Sequence, residues 1–350
     1  MLIVDLEAPL ADLRLPPGRL GPYRSLLVVA RVDGDPLGTA ALSVNPAGEV
    51  PRSRLARGLR RQLEAELREV FARRGLALPP SLPSIGIPGG PGDGHGAAAP
   101  RRSVSVVVTT CSDPARLERC VRSILACDHD DFEVIVVENR PRSSTTGMML
   151  AERFASERRL RYVEEPSPGL SQARNTGLAL AEGDVVAFTD DDVFVDPAWI
   201  RRCARGFERA DDVACVTGLI IPLELESDSQ LLLDQFVGLG KGFRRQTYRI
   251  EADGDGDPLL PYTPGVIGSG ANTVVRADVA RELGGFDTSL GAGTPALGGE
   301  DLDFYVRLLR EGHAVAYEPA AIVWHEHPDG EGTLRRQVYP LLGVVHFSIS

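Results

Sequence analysis

The chain has 350 residues and a formal net charge of -11, with 43% hydrophobic and 25% charged residues. This composition is typical of a folded protein with a substantial core, and the length fits one large domain or two ordinary ones. The acidic balance argues against nucleic acid as a partner, because a nucleic-acid-binding face needs clustered basic residues. It does not exclude a nucleotide, whose phosphates a metal ion or a helix N-terminus can hold.

The cysteine pattern and the hydropathy bear on the compartment. The five cysteines form no C-x-x-C pair, which argues against a disulfide framework or a zinc cage and favours a reducing compartment. The start of the chain lacks a signal-peptide pattern, and no stretch reaches the roughly 20 apolar residues that cross a bilayer. We therefore expect a cytoplasmic protein, with peripheral contact at the inner face of the membrane left open and the oligomeric state undetermined.

Residues 1–78 predict a small α/β unit. Two runs rich in β-branched residues, Leu26–Val32 and Leu37–Val44, flank an Asp-Gly-Asp-Pro turn and indicate a hairpin. Arg52–Arg74 carries leucines at helical spacing and predicts one amphipathic helix. This unit contains no catalytic constellation, so a docking role is the default expectation. The following residues, 79–101, are dense in proline and glycine and predict a flexible linker.

Residues 102–330 alternate strands and helices regularly, which predicts a parallel sheet with helices on both faces. The last segment, 331–350, is apolar and is expected to pack as a terminal helix or strand, or to contribute to a partner or membrane surface. The predicted strands of the central region are 104–108, 132–137, 160–163 and 184–189, and the helices between them begin near Pro114, Thr145 and Leu170.

Three consecutive aspartates, Asp190, Asp191 and Asp192, follow the fourth of these strands. Ligands of open α/β sheets bind beyond the carboxyl ends of the strands. Adjacent carboxylates repel one another unless a cation lies among them, and a hard divalent ion that also binds phosphate oxygens would supply it. The alternative is a solvated acidic turn that caps the next helix.

Three further segments are candidates for the same site. Glu300 and Asp301 follow two glycines and start a helix, so they act either as a helix cap or as a general base at the edge of a cleft. The small residues of Gly268–Asn272 let the backbone approach a sugar or phosphate, or form a bend before a strand. His325 and His327 flank a glutamate after an apolar run, which favours a metal role only modestly.

Taken in order, these motifs resemble those of family 2 glycosyltransferases with the GT-A fold, over about residues 103–327. Each motif is weak alone, and their ordered spacing carries the resemblance. The segments are Val108-Thr109-Thr110, Glu138-Asn139, Gly169–Gly177, Phe188–Asp192, Gly270–Asn272, Gly285–Asp287 and Gly299–Asp301.

The resemblance implies an α/β fold with a mixed, mostly parallel, Rossmann-like sheet, and it assigns the chemistry. Asp190 and Asp192 match the DxD motif, which binds Mn²⁺ or Mg²⁺ on the diphosphate of a nucleotide sugar. Asp301 matches the acidic residue that deprotonates the acceptor hydroxyl. His325 matches a histidine that completes the metal site in some members, with His327 as the alternative.

The resemblance also implies the residues that surround the substrates. Glu138 stands where the family usually has an aspartate that contacts the nucleobase, and its longer side chain is a departure from the pattern. The remaining implied positions are Thr110, Arg174, Asp190 and Asp191 for the nucleotide, and Gly270, Asn272, Gly299 and Glu300 for the substrate.

The expected reaction is an inverting transfer of a sugar to an acceptor hydroxyl. A single free carboxylate suffices for it, whereas a glycosidase needs two carboxylates that flank the bond. A uridine diphosphate sugar is the expected donor, because it is the frequent donor in the family. The acceptor is expected to be a glycan, a lipid-linked saccharide or a small molecule.

Two other readings are weaker. A sugar nucleotidyltransferase requires a glycine-rich loop after the first strand, where this chain has Thr109–Asp113 without a glycine. A non-catalytic scaffold or glycan-binding protein of the same fold is marked by loss of the metal aspartates or the base, and all of these residues are present.

Overall fold

The structure is a computed structural model that describes residues 2–15, 25–88, 102–111, 113–139, 145–250 and 259–328. The predicted C-terminal segment, 331–350, lies outside the described residues. The strands are β1 (Leu2–Asp5), β2 (Leu13–Arg14), β3 (Ser25–Val32), β4 (Asp35–Ser43), β5 (Glu49–Val50), β6 (Val104–Thr110), β7 (Phe132–Asn139), β8 (Leu160–Glu165), β9 (Val185–Asp190), β10 (Val193–Val195), β11 (Val213–Pro222), β12 (Gln246–Tyr248), β13 (Thr273–Arg276) and β14 (Ala314–His325). The helices are α1 (Arg52–Gln62), α2 (Glu64–Arg73), α3 (Pro114–Leu125), α4 (Thr145–Arg153), α5 (Leu170–Leu180), α6 (Trp199–Gly206), α7 (Asp228–Val237), α8 (Ala277–Glu282) and α9 (Glu300–Arg310).

The chain divides into two compact units. The first comprises Met1–Ala97, Pro222–Val237 and His327–Ser350, and the second comprises Ala98–Ile221 and Gly238–Glu326. The domain boundaries drawn from the sequence, at residues 78, 101 and 330, stay predictions. No helix in the described part of the chain has the length and apolar character needed to span a membrane.

The first unit contains the expected hairpin. Strands β3 and β4 pair in antiparallel fashion, and β1 lies parallel to β3. Asp33 and Gly34 have φ angles of 52° and 75°, the pattern of the tight turn that suits the twist of paired strands.

The single helix predicted over 52–74 is instead two helices that meet at Leu63. The backbone of Leu63 leaves the helical conformation. The side chain of Leu63 packs so closely on Gly38 of β4 that a Cβ atom added there would lie 2.7 Å from it. The adjacent Gln62 uses its amide on both backbone groups of Ala41. The bend therefore follows from close packing on β4, which a periodic leucine pattern does not reveal.

Part of the predicted linker is ordered against the first unit. The backbone N–H of Ile87 donates to the carbonyl of Leu6 at 2.7 Å, and that of Leu10 donates to Ser84 at 3.0 Å. Leu82 and Ile87 are buried in the core of this unit. These two apolar side chains anchor a stretch that proline and glycine dominate, and residues 89–101 lie outside the described residues.

The second unit is built on a mixed sheet with the order β10-β14-β11-β13-β9-β6-β7-β8, and β12 also pairs with β14. Strands β9, β6, β7 and β8 are parallel, whereas β13 runs antiparallel to both β9 and β11. Successive residues of β6 point to opposite faces and enter two separate cores, Val106 and Val108 in one and Val107 in the other. Helices α3 and α6 cover the first face, and α5, α8 and α9 the second. The predicted α/β sheet with helices on both faces is confirmed.

Asn272 connects strands at the centre of this sheet. Its side-chain amide donates to the carbonyls of Leu219 on β11 and Ala321 on β14, at 3.2 and 2.9 Å. Its side-chain oxygen accepts the indole N–H of Trp199 on α6 at 2.9 Å. Asn272 is 0% exposed, so its three bonds satisfy polar groups that have no access to water.

We expect Asn272→Ala to destabilise the protein by about 3 kcal/mol or more, because each buried group left without a partner costs about 1–3 kcal/mol. Thermal unfolding without ligand measures this, at about 2–4 °C per kcal/mol for a unit of this size. Asn272→Asp keeps the acceptor for Trp199 but faces two carbonyls with a charge, so it should be no more stable than the alanine variant. A melting temperature equal to that of the wild type for both variants would contradict this role.

Candidate functional site

The carboxyl ends of the parallel strands are level. Thr109 pairs with Asp190 across β6 and β9, and Thr110 pairs with Glu138 across β6 and β7. The hydroxyl of Thr110 donates to Asp191 Oδ2 at 2.5 Å. Four of the predicted nucleotide-binding residues therefore lie side by side at one edge of the sheet, where α/β folds bind ligands.

The pairing of β10 with β14 brings a histidine to the aspartates. In this register Val193 lies opposite His325, which places the imidazole beside the preceding residue, Asp192. His325 Nε2 lies 3.4 Å from Asp192 Oδ1. One ligand atom each from Asp190, Asp192 and His325 lies within 4.8 Å of the others, so strand pairing assembles a group able to hold a metal ion.

His327, the alternative candidate, lies elsewhere. Its Nε2 atom is 3.5 Å from Asp234 Oδ1 on α7, and its backbone carbonyl accepts a hydrogen bond from Gln230. It is 2% exposed and belongs to the first unit. The geometry therefore favours His325 over His327 as the histidine of the acidic group.

The electrostatics of the aspartates suit a cation. Burial raises the pKa of Asp191 to about 7, against the hydrogen bond from Thr110. Burial and then the charge of Asp190 raise the pKa of Asp192 to about 7. Asp192 Oδ1 is buried and accepts no hydrogen bond from the residues that the structure describes. Two carboxylates and an imidazole form a donor set that Mn²⁺ accepts, and the orphaned oxygen is positioned to be one of the ligand atoms.

Two arginines of α3 fix the end of β14 behind this group. Glu326 accepts from Arg116 Nε at 3.2 Å and from Arg119 Nη2 at 2.6 Å. The backbone N–H of Glu326 donates to the carbonyl of Asp192 at 2.9 Å. The residue after His325 is thus tied to both α3 and the aspartate turn. Sequence patterns gave no signal for this network, because Glu326 is more than 200 positions away from both arginines.

Arg174 lies at the centre of the site. It is 1% exposed, donates to Glu300 Oε1 at 2.7 Å and to Asp190 Oδ1 at 3.2 Å, and stacks over the ring of Phe286. Burial lowers the pKa of this guanidinium, but the charges of Asp190 and Glu300 raise it above its usual range. One buried cation therefore joins the two acidic motifs that the sequence placed about 110 positions apart.

Two asparagines explain how the sequence positions this arginine. Asn139, at the end of β7, accepts the N–H of Gly169 at 3.0 Å and so fixes the start of α5. Asn175 bonds both backbone groups of Phe286 at 2.8 Å. A Cβ atom at Gly285, where φ is 72°, would lie 2.4 Å from Asn175 Oδ1, so the Gly-Phe-Asp motif serves to place Phe286 under Arg174.

Asp301, the predicted base, has both carboxylate oxygens oriented by the backbone. Oδ2 accepts the N–H of Gly270, and Oδ1 accepts the N–H of Leu302, each at 2.8 Å. The guanidinium of Arg174 leaves no room for a side chain at Gly270, where an added Cβ atom would lie 2.6 Å from it. The glycine thus lets backbone, arginine and carboxylate meet.

The neighbouring predicted substrate residues begin α9. Gly299 caps this helix with φ of 88°, and Glu300 follows it, buried against Arg174. Burial raises the pKa of Glu300, and the charge of Arg174 opposes the rise. Glu300 therefore lies beneath the surface of the site as a partner of Arg174.

Two other predicted site residues are engaged inside the fold. Glu138 is 1% exposed and accepts hydrogen bonds from Thr146 at 2.8 Å and Tyr162 at 2.5 Å, one on each oxygen. Burial and the Glu138 hydrogen bond raise the pKa of Tyr162. Asn272 uses its amide on β11, β14 and α6, as described above. A substrate contact by either side chain requires that it share or break these bonds.

A lysine at the site was not predicted. The half-buried ammonium of Lys241 donates to the carbonyl of Gly238 at 2.5 Å, and the negative charge of Asp301 acts on it. Lys241 lies between two glycines in a stretch without a recognisable motif, so the sequence gave no signal for it.

The fold of the second unit is of the GT-A type. The sequence profile described as "Glycosyl transferase family 2" matches residues 105–282. The chain belongs to this family. The predicted family, and with it the prediction of a glycosyltransferase, is confirmed.

Individual proteins agree with this assignment. The chain is similar to the pre-mycofactocin glycosyltransferase of Mycobacterium tuberculosis, with 29% identity over 312 residues, 85% of this chain and 56% of that protein. It is 25% identical to the glucosyl-dolichyl phosphate glucuronosyltransferase of Haloferax volcanii over 64% of this chain and 69% of that protein. The chain thus spans about half the length of the mycobacterial relative.

A solved structure supports the fold. The mannosyltransferase PcManGT of Pyrobaculum calidifontis, in complex with GDP-Man and Mn²⁺, aligns with a TM-score of 0.51 and 19% identity, over 71% of this chain and 64% of that one.

We expect Arg174→Met to lower stability by about 3–5 kcal/mol, because removing one partner leaves buried charges uncompensated. Thermal unfolding without metal measures the loss. The double variant Arg174→Met/Glu300→Gln also removes one of the stranded carboxylates, so it should be more stable than Arg174→Met alone. Strict additivity of the two single changes would contradict the coupling of these residues.

Proposed function

We propose that the protein transfers a glycosyl group from a nucleoside diphosphate sugar to an acceptor hydroxyl, with inversion at the anomeric carbon. The observation that carries the proposal is the group of Asp190, Asp192 and His325, linked through Arg174 to the segment that holds Asp301. It provides a place for a cation and a single oriented carboxylate, which are the two elements of direct displacement.

A divalent ion, Mn²⁺ or Mg²⁺, would be held by Asp190, Asp192 and His325. When bound, such an ion stabilises negative charge on the departing diphosphate. The chain itself orients the ligands: Arg174 holds Asp190, Glu326 fixes the backbone of Asp192, and the register of β10 with β14 fixes His325.

Asp301 acts as the general base in this proposal. Both of its oxygens are already oriented by backbone N–H groups, and each carboxylate oxygen retains acceptor capacity for the proton of a bound hydroxyl. The other carboxylates nearby are committed, Glu300 to Arg174 and Asp190 to Arg174 and the cation group. A single available base favours inversion over the two-step route through a covalent intermediate.

The nucleotide would lie along the carboxyl ends of the parallel strands, near Thr110, Glu138, Arg174 and Asp191. Glu138 accepts hydrogen bonds from Thr146 and Tyr162, so any effect of Glu138 on nucleobase preference acts through this buried cluster. A uridine nucleotide stays the expectation from the sequence, and guanosine nucleotides belong in any donor test because the similar archaeal mannosyltransferase binds GDP-Man.

The acceptor would approach Asp301 past Gly270 and Gly299, whose missing side chains leave the backbone accessible. The names of the relatives suggest two acceptors, pre-mycofactocin and a glucosyl-dolichyl phosphate. Both are acceptor hypotheses for this chain. The cytoplasmic location expected from its sequence likewise stays a prediction.

The donor site is tested by hydrolysis of a panel of nucleotide sugars with Mn²⁺, with Mg²⁺ and with chelator. We expect slow, metal-dependent release of one nucleoside diphosphate. Asp192→Ala should lower it roughly 100-fold or more, since a metal on the leaving oxygens contributes several kcal/mol. Asp128→Ala, which removes an exposed carboxylate paired with Arg201, is the matched control. Absence of both hydrolysis and nucleotide binding in the wild type would reject the donor site.

The base is tested by Asp301→Asn, which keeps an oxygen for the N–H of Gly270 but cannot take a proton. We expect nucleotide binding in calorimetry to be retained and transfer to fall by about 10²–10⁴-fold. Asp303→Asn on the same helix, where the carboxylate pairs with Arg307, should leave transfer near the wild-type rate. Full transfer activity of the Asp301 variant would assign the proton to another group.

A further inference from the structure

The backbone of the aspartate turn lies against one face of α3. The thiol of Cys120, a fully buried residue of this helix, donates to the carbonyl of Asp190 at 3.4 Å. Ser123 follows three positions later, and its hydroxyl accepts the backbone N–H of Val195 at 3.2 Å. Residues three apart share a helix face, so α3 holds both ends of the segment from Asp190 to Val195.

The other aspartate of the metal group is held through Glu326. The backbone N–H of Glu326 donates to the carbonyl of Asp192 at 2.9 Å. One oxygen of the Glu326 carboxylate accepts from Arg116 and the other from Arg119. Exposed ion pairs contribute little, but the Glu326 side chain is only 18% exposed and both of its oxygens are bonded. Arg119 also stacks over the ring of Phe194 on β10, so these contacts tie α3 to both paired strands.

These contacts fix the backbone around the metal group, which consists of Asp190, Asp192 and His325. They reach the backbone carbonyls of the two aspartates and leave the carboxylates outside the bonds. His325 directly precedes Glu326 in the chain, so the same ion pairs restrict its movement. Groups that orient metal ligands without touching the metal ion typically change its affinity, because a preorganised site loses less free energy on binding.

We propose that the carboxylate of Glu326, held by Arg116 and Arg119, is a positioning group that sets the affinity of the metal group for Mn²⁺ or Mg²⁺. Glu326 provides no ligand atom of that group and acts through the backbone of Asp192 and His325. This role rests on the metal-dependent donor site proposed above and makes it more specific, since it adds α3 to the elements on which metal binding depends.

The sign of one substitution separates positioning from a simple effect of charge. Arg119→Met removes a positive charge near a site for a cation, so charge alone would strengthen metal binding. Positioning predicts the opposite, because Glu326 loses its bond at 2.6 Å. We expect Mn²⁺ to bind roughly 10–100-fold more weakly, the usual loss when a group that orients a metal ligand is removed. Arg119→Lys, which keeps the charge, should recover part of the affinity.

Electron paramagnetic resonance of unbound Mn²⁺ measures this affinity without turnover, with UDP or GDP present and well below the unfolding temperature of each variant. The matched control is Arg122→Met, which removes an arginine of the same helix that pairs with Glu118 at 2.6 Å. The control should keep the wild-type affinity. Mn²⁺ binding by Arg119→Met that equals or exceeds that of the wild type overturns the proposal.

A double substitution tests whether the two groups act as one unit. Glu326→Gln removes the carboxylate charge but keeps the backbone N–H that bonds Asp192, and it should also weaken Mn²⁺ binding roughly 10–100-fold. Because Arg119 acts through Glu326, Arg119→Met/Glu326→Gln should bind Mn²⁺ no more weakly than Glu326→Gln alone. Losses that add in full overturn the coupling.

Failure of the wider function looks different. If the wild type binds Mn²⁺ neither with UDP nor with GDP, the donor site itself is wrong. If the wild type binds Mn²⁺ and the variants of Arg119 and Glu326 bind it equally well, only the positioning role is rejected.

Discussion

The buried guanidinium of Arg174 is the interaction on which the site depends. It bonds Glu300 and Asp190 at once, stacks on Phe286 and excludes any side chain from Gly270. Removing a charge from water is costly, and only several well-placed partners compensate. The three motifs that meet here come from distant parts of the sequence, so the ion pairs hold together the strand that carries the aspartates and the helix that carries the proposed base.

Strand pairing does the rest of the assembly. Parallel strands end at the same edge of the sheet. Strand pairing alone therefore brings together the polar residues that follow each apolar run. The antiparallel pairing of β10 with β14 then adds His325, a residue more than 130 positions away from Asp192 in the chain. The functional groups are therefore located mainly by backbone hydrogen bonds, and side-chain bonds such as those of Asn139 and Asn175 adjust them.

The sequence alone predicted the sheet, the aspartates at its edge and the acidic start of α9, because apolar runs and turn residues are local signals. The resemblance to a family added Arg174. What the sequence did not reveal depends on contacts between distant segments. Asn272 and Glu138 were expected to contact the substrate and the nucleobase, yet the fold uses their polar atoms internally. The break at Leu63 and the packing of Leu82 and Ile87 have no periodic signature, and Lys241 has no motif around it.

Asp190 is shared between two clusters, and this has a thermodynamic consequence. Its carboxylate is bonded by Arg174 and is also a member of the cation group. A metal ion bound to Asp190 would weaken the ion pair between Asp190 and Arg174. Conversely, a movement of Arg174 toward Glu300 would make the carboxylate of Asp190 more available to the metal ion. Linkage makes such effects reciprocal. If the metal ion changes the affinity for a ligand at the start of α9 by some factor, that ligand changes the affinity for the metal ion by the same factor. The metal ion and a ligand at the start of α9 are therefore expected to bind cooperatively, with the carboxylate of Asp190 as the group that couples them.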